Sequence, residues 1–216
     1  MKTKKNVFIK RRGKHPIYKW ISVEKLARKI SNIFWNWVDL SSCKMDKLAE
    51  LYEILISKEY KKESKLFDIS KDDNILHIGC GAYPITAITL AKNNGVKITG
   101  IDNNLRAIKL ANNLINKKEL GEKIKIEQGN GTDYPVEEFD TIIVSGCASP
   151  KIEILEHVFG RAKSRTKIIV REMNLAAKPL ANFIDSHDDI NIINKMKSRP
   201  FPLIEPLGWH SFYLKK

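Results

Sequence analysis

The chain has 216 residues, 43% apolar and 29% charged, which suits a folded protein of one ordinary domain with an extension and excludes a disordered one. No apolar run approaches the ~20 residues a bilayer span needs, and no apolar leader follows the basic start Met1-Lys2-Thr3-Lys4-Lys5. Cys43, Cys80 and Cys147 are too few and too scattered for a disulfide framework or a zinc site, so a cytoplasmic protein with no membrane partner and no metal is expected.

Residues 1–20 hold six lysines and two arginines with no acidic residue, so this arm carries +8 of the net +13. Such an arm can bind RNA phosphates by releasing counterions. A solvated terminus is the favoured reading, because the arm lacks the arginine–aromatic alternation used on single strands. Next, Leu26, Ile30, Ile33, Phe34 and Trp37 recur at helical spacing, with Ser22 placed to cap them. A second stripe, Leu48, Leu51, Tyr52 and Leu55, ends in the charged run 58–65. Residues 21–70 therefore read as a helical cap, with both stripes expected in the core.

From residue 71 the period changes. Short apolar runs at 75–78, 97–101, 124–126, 141–144 and 167–170 alternate with helical patterns at 85–92, 105–116 and 152–162. That alternation predicts an α/β fold with a parallel sheet covered on both faces. Pro200, Pro202 and Pro206 break helices before a last strand at 209–214, and two late strands joined by a turn would form an antiparallel edge.

In such sheets ligands bind at the carboxyl ends of the strands. The first strand ends in Gly79-Cys80-Gly81-Ala82-Tyr83-Pro84, where two glycines permit close backbone approach. A dinucleotide site is disfavoured because Pro84 stands where its third glycine would be and has no N–H for a pyrophosphate. No Gly-Lys-Ser/Thr follows, which excludes a P-loop. A nucleoside without a phosphate chain remains, and S-adenosylmethionine (SAM) fits that description. Asp102, 23 residues after Gly79 and followed by Asn103, is spaced to accept hydrogen bonds from ribose hydroxyls. Its alternative role is to cap the helix that starts near residue 105. Asn130, Gly131 and Thr132 follow the third strand, where an adenine would lie, although the same cluster is ordinary turn chemistry. Ser145 and Gly146 follow the fourth and leave room for the methionine part. Cys80 and Cys147 read as packing residues, since no base lies nearby in sequence.

These features, together with Phe139-Asp140 before the fourth strand and the last strand, resemble the class I SAM-dependent methyltransferase family over about residues 72–216. The resemblance implies a Rossmann-like, seven-stranded sheet with an antiparallel last strand, and SAM held by Gly79, Cys80, Gly81, Tyr83, Thr86, Asp102, Asn103, Asn130, Gly131, Thr132, Ser145 and Gly146. Three positions depart from it: His77 stands where an acidic residue is usual, Tyr83 replaces a glycine, and Asn130 replaces an aspartate. The run from Gly79 through Pro84, Thr86 and Leu90-Ala91 is similar to nicotianamine synthase-like proteins, a branch that transfers the 3-amino-3-carboxypropyl group of SAM.

The expected function is methyl transfer to a small molecule. The alternatives are aminocarboxypropyl transfer and an RNA-binding role for the arm. After the fourth strand the chain reads Ser145-Gly146-Cys147-Ala148-Ser149-Pro150, which lacks the Asn-Pro-Pro-Tyr/Phe pattern of adenine-N6 chemistry. Arg171 and Glu172, placed just past the fifth strand, are expected to meet the substrate or to form an exposed ion pair. No general base stands out.

Overall fold

In the computed structural model, residues 22–200 and 207–216 are described. The basic arm, Pro202, Pro206 and the side chain of Ser22 lie outside the described residues. Two helices, α1 (Ser22–Ser42) and α2 (Asp46–Leu66), precede β1 (Asn74–Ile78), α3 (Ile85–Asn94), β2 (Lys97–Asp102), α4 (Leu105–Lys117), β3 (Ile124–Gln128) and β4 (Thr141–Val144). Then come α5 (Lys151–Arg161), β5 (Lys167–Met173), a short 3-10 turn at 174–176, α6 (Ala177–Asp185), β6 (Asn191–Ser198) and β7 (Trp209–Lys215).

The seven strands lie in the order β3-β2-β1-β4-β5-β7-β6, and only β7 runs antiparallel to its neighbours. This is the Rossmann-like sheet expected. The order reverses at β1, so the crevice beyond the ends of β1 and β4 is the ligand position that the topology provides. Two elements lacked a clear signal in the sequence. The nine residues of α6 were missed, and β6, Asn-Ile-Ile-Asn-Lys-Met-Lys-Ser, is an edge strand with no sustained apolar face.

Strand periodicity splits the core into two layers. Ile75, Ile143, Ile169 and Tyr213 face the side covered by α1, α2, α3 and α4. Leu76, Ile142, Ile168 and Leu214 face α5 and α6. The buried Arg171 guanidinium bonds the Glu63 carboxylate of α2 at 2.6 and 3.1 Å and lies 3.9 Å from the centre of the Tyr60 ring. Ser211 of β7 also donates to Glu63, so α2 is tied to two strands through one buried carboxylate.

The two stripes expected in the core behave differently from that expectation. On α1, Leu26, Ile30, Ile33 and Trp37 are 55–60% exposed, and only Phe34 of that stripe packs against the core. Ser31 and Val38 are buried instead, and Trp35 packs against the core that includes Val38. On α2, Tyr52 is buried and Leu51 is exposed, while Ile56, Glu59 and Glu63 complete the inward face. The reason is spatial. α1 roofs a polar crevice rather than an apolar sheet surface, so it turns its polar and aromatic side inwards.

Candidate active site

A cavity of about 410 Å³ lies at the carboxyl ends of β1 and β4, closed on one side by α1. The glycine loop forms its floor. Gly79 and Gly81 adopt φ of 78° and 72°, and the N–H groups of Gly79 and Cys80 both donate to the Ile101 carbonyl, at 2.9 and 3.0 Å. This stitches the loop to β2 beside Asp102.

The Asp102 carboxylate is held in place by backbone N–H groups. One carboxylate oxygen accepts from the Gly81 N–H at 3.0 Å and the other from the Asn104 N–H at 2.9 Å. Asn104, not Asp102, caps α4, since its side chain accepts from the N–H groups of Arg106 and Ala107. The capping alternative for Asp102 is thereby removed.

Gly79, Cys80, Gly81, Tyr83, Thr86, Asp102, Asn103, Asn130, Gly131, Ser145 and Gly146 all line the cavity; Thr132 does not. Gly131 has a steric cause, because a Cβ there would sit 2.5 Å from a methyl of Ile78. The Asn130 side-chain oxygen accepts from the Thr132 N–H at 3.3 Å, leaving its amide N–H₂ for other partners. Tyr83 is buried and donates to Glu53 of α2 at 2.6 Å, so it anchors the loop to the helical layer. His77 is buried on the same wall; burial, reinforced by the Arg171 charge, holds its pKa down at about 3, so it stays neutral. Burial, with the Asp102 and Asp39 carboxylates, pushes the Cys80 thiol well up, which suits a packing role.

Arg171 and Glu172 lie within β5 rather than past it, and both line the cavity. They form no exposed ion pair. Both are buried; Arg171 binds Glu63 and the Thr86 hydroxyl (2.7 Å), and Glu172 binds Arg28 of α1 (2.6 Å). Their charges are thus matched within the protein.

The residue that sequence reasoning missed is Asp39. It belongs to the inward stripe of α1 with Arg28, Asn32, Trp35 and Asn36, all on the cavity wall. Tyr52 donates to one Asp39 oxygen at 3.0 Å, and the other faces Gly81 so closely that a Cβ there would lie 2.5 Å away. Burial raises the Asp39 pKa to about 7; hydrogen bonds from the Tyr52 hydroxyl and the Tyr83 backbone oppose this, and the Asp102 charge adds to it. A carboxyl titrating at neutral pH on a ligand cavity is placed to exchange protons. Read alone, α1 puts Asp39 on what looks like its solvent face.

The family model of the methyltransferase domain matches residues 69–201, well over half of the chain. The chain belongs to that methyltransferase-domain family. A curated relative, the probable cobalt-precorrin-6B C(15)-methyltransferase (decarboxylating) of Methanobrevibacter smithii, is 24% identical over 131 residues, covering 60% of this chain. The match spans 63% of that relative, less than two thirds of its length. Among solved structures, a point mutant of MtNAS in complex with S-adenosylmethionine superimposes with a TM-score of 0.69 at 18% identity, over 88% of this chain and 77% of that one. The MccD protein gives 0.58 at 12% identity over 73% and 96%, and the tRNA methyltransferase TrmK of B. subtilis 0.57 at 13% over 70% and 64%. These likenesses establish the fold. Residues 67–216 are under 70% of the chain, so the MtNAS match must reach into the α1–α2 layer.

SAM is the cofactor of this family, and the cavity fits it. The Asp102 carboxylate is fixed at the end of β2 with lone pairs to spare for vicinal hydroxyls, and Gly79, Gly81 and Gly131 let backbone approach a flat nucleoside.

Proposed function

We propose that the chain is a SAM-dependent transferase that delivers the methyl group to a small-molecule acceptor. The reading rests on one coincidence: the methyltransferase-domain match covers the segment whose loops converge on the cavity around Asp102. When bound, SAM supplies an activated carbon on its sulfonium, so the protein's task is to position, desolvate and deprotonate.

Asp102 and the glycine loop would hold the nucleoside. Trp35 and Tyr60, whose ring centres lie 6.2 and 5.8 Å from that of Trp209, form with it an aromatic wall that would exclude water from the acceptor side. Asp39 would take the acceptor's proton in its ionised form, with Tyr52 fixing its orientation. Arg28 and Glu172 close the wall as an ion pair, which leaves a space of about 410 Å³ suited to a metabolite.

A specific observation favours a second reading, transfer of the aminocarboxypropyl group. The MtNAS structures cover 88–90% of this chain, helical layer included, and one of them holds MTA and tNA. Mass spectrometry of reactions with SAM and candidate amines separates the two. S-adenosylhomocysteine as by-product supports methyl transfer, methylthioadenosine supports the second reading, and neither product from any acceptor class would count against both.

A further inference from the structure

The His77 side chain is 2% exposed, and neither its Nδ1 nor its Nε2 has a hydrogen-bond partner among the described residues. A buried imidazole is ordinarily satisfied, because an unpaired polar atom gives up its hydration for nothing. Ile75, two residues earlier on the same face of β1, is buried in the ordinary apolar way. His77 instead lines the cavity, on the strand at which the sheet order reverses and two positions before Gly79.

Its surroundings define what would pair with it. Its partner in register on β4 is Ile143, of the layer that faces α1–α4, so the ring lies on the side where Thr86 and Arg171 also line the cavity. The Arg171 charge is matched by Glu63 at 2.6 Å, and its guanidinium also donates to the Thr86 hydroxyl. Burial, with that charge, keeps the His77 ring neutral. A neutral imidazole offers one N–H donor and one bare nitrogen acceptor. A lone carboxylate would use only the donor and bring an unmatched negative charge into a buried site. A lone ammonium would use only the acceptor and bring a positive one. An α-ammonio-carboxylate uses both nitrogens and adds no net charge.

We infer that His77 recognises the ammonio-carboxylate group of a ligand in this cavity, donating to its carboxylate and accepting from its ammonium. Two ligands can bring that group: SAM, through its methionine end, and an amino-acid acceptor. The inference rests on the transferase reading and makes His77 a binding residue, not a participant in the chemistry.

Titration calorimetry with S-adenosylhomocysteine and with methylthioadenosine tests it, since both carry the nucleoside and the sulfur but only the first carries the ammonio-carboxylate. The parent should prefer S-adenosylhomocysteine. His77→Leu should lower that affinity about tenfold or more and leave methylthioadenosine within about twofold. His77→Gln, which keeps a donor and an acceptor, should retain most of the preference. In melts without ligand, His77→Leu should be at least as stable as the parent, because it removes two unpaired polar atoms. A merely structural histidine would instead lose stability on substitution and leave the preference intact. Nitrogen shifts of the His77 ring in the parent should move with S-adenosylhomocysteine and not with methylthioadenosine, which gives the same answer without a variant. If the preference survives in His77→Leu, but L-alanine, L-glutamate or L-lysine binds the methylthioadenosine-loaded parent and not the loaded variant, the acceptor brings the group. The inference is overturned if His77→Leu changes none of these affinities or weakens both nucleosides equally. A parent that binds neither nucleoside overturns the transferase reading with it, whereas a binding parent with unchanged variants leaves that reading standing.

Discussion

Tyr52 and Asp39 join the two cap helices directly over the glycine loop, through a hydrogen bond of 3.0 Å from phenol to carboxylate. The bond favours the ionised carboxylate, and burial opposes it more strongly, leaving Asp39 with a pKa of about 7. Activity should therefore rise with pH through about 7 as the base form fills. Asp39→Asn should lower kcat by about a hundredfold or more with little change in SAM affinity. Tyr52→Phe removes an interaction that lowers the pKa, so the rising limb should move to higher pH. Steady-state pH–rate profiles of the three proteins check this.

The same group has a stability consequence. Asp39 titrates near 3.8 when unfolded and near 7 when folded, so between these values the folded state binds more protons. Stability should fall as pH rises across that window and level off above it. Asp39→Asn should stabilise the fold at pH values above 7, by up to about 4 kcal/mol, and change it little near pH 4. Differential scanning calorimetry at the two ends of the window measures it.

Gly81 is pinned between two carboxylates. Its N–H donates to Asp102, its φ is +72°, and a Cβ would press on Asp39 at 2.5 Å. Gly81→Ala should cost about 1–2 kcal/mol from backbone strain and should lower kcat further by displacing Asp39. Paired thermal melts and initial rates separate the two effects.

The buried fork between Arg171 and Glu63 is the main polar tie between cap and sheet. Glu63→Ala strands a buried guanidinium and should destabilise the fold by about 3–5 kcal/mol. Replacing both partners together, Glu63→Leu with Arg171→Met, should cost markedly less. Urea denaturation of the single and double variants reads the difference.

The sheet was legible because its central strands are buried on both faces and read as largely apolar runs, as Ile75–Ile78 and Thr141–Val144 show, with only His77 and Thr141 polar. The loops that line the cavity were legible for a related reason: Gly79, Gly81 and Asp102 are fixed by local backbone geometry. The cap was not. Periodicity finds the apolar side of α1 but does not say what lies beneath the helix, and here a polar cavity does. That inversion hid Asp39 and placed Leu26, Ile30, Ile33 and Trp37 in a core they do not enter. The internal pairing of Arg171 with Glu63 was likewise invisible, because the two residues meet across 108 positions of sequence.

Titration calorimetry with SAM, on the parent chain and on Asp102→Ala, tests the central claim most directly. The carboxylate at the end of β2 should anchor the ribose, so the parent should bind and the variant should lose about ten- to a hundredfold in affinity. Equal affinity in both proteins, or no binding by the parent, would contradict the site described.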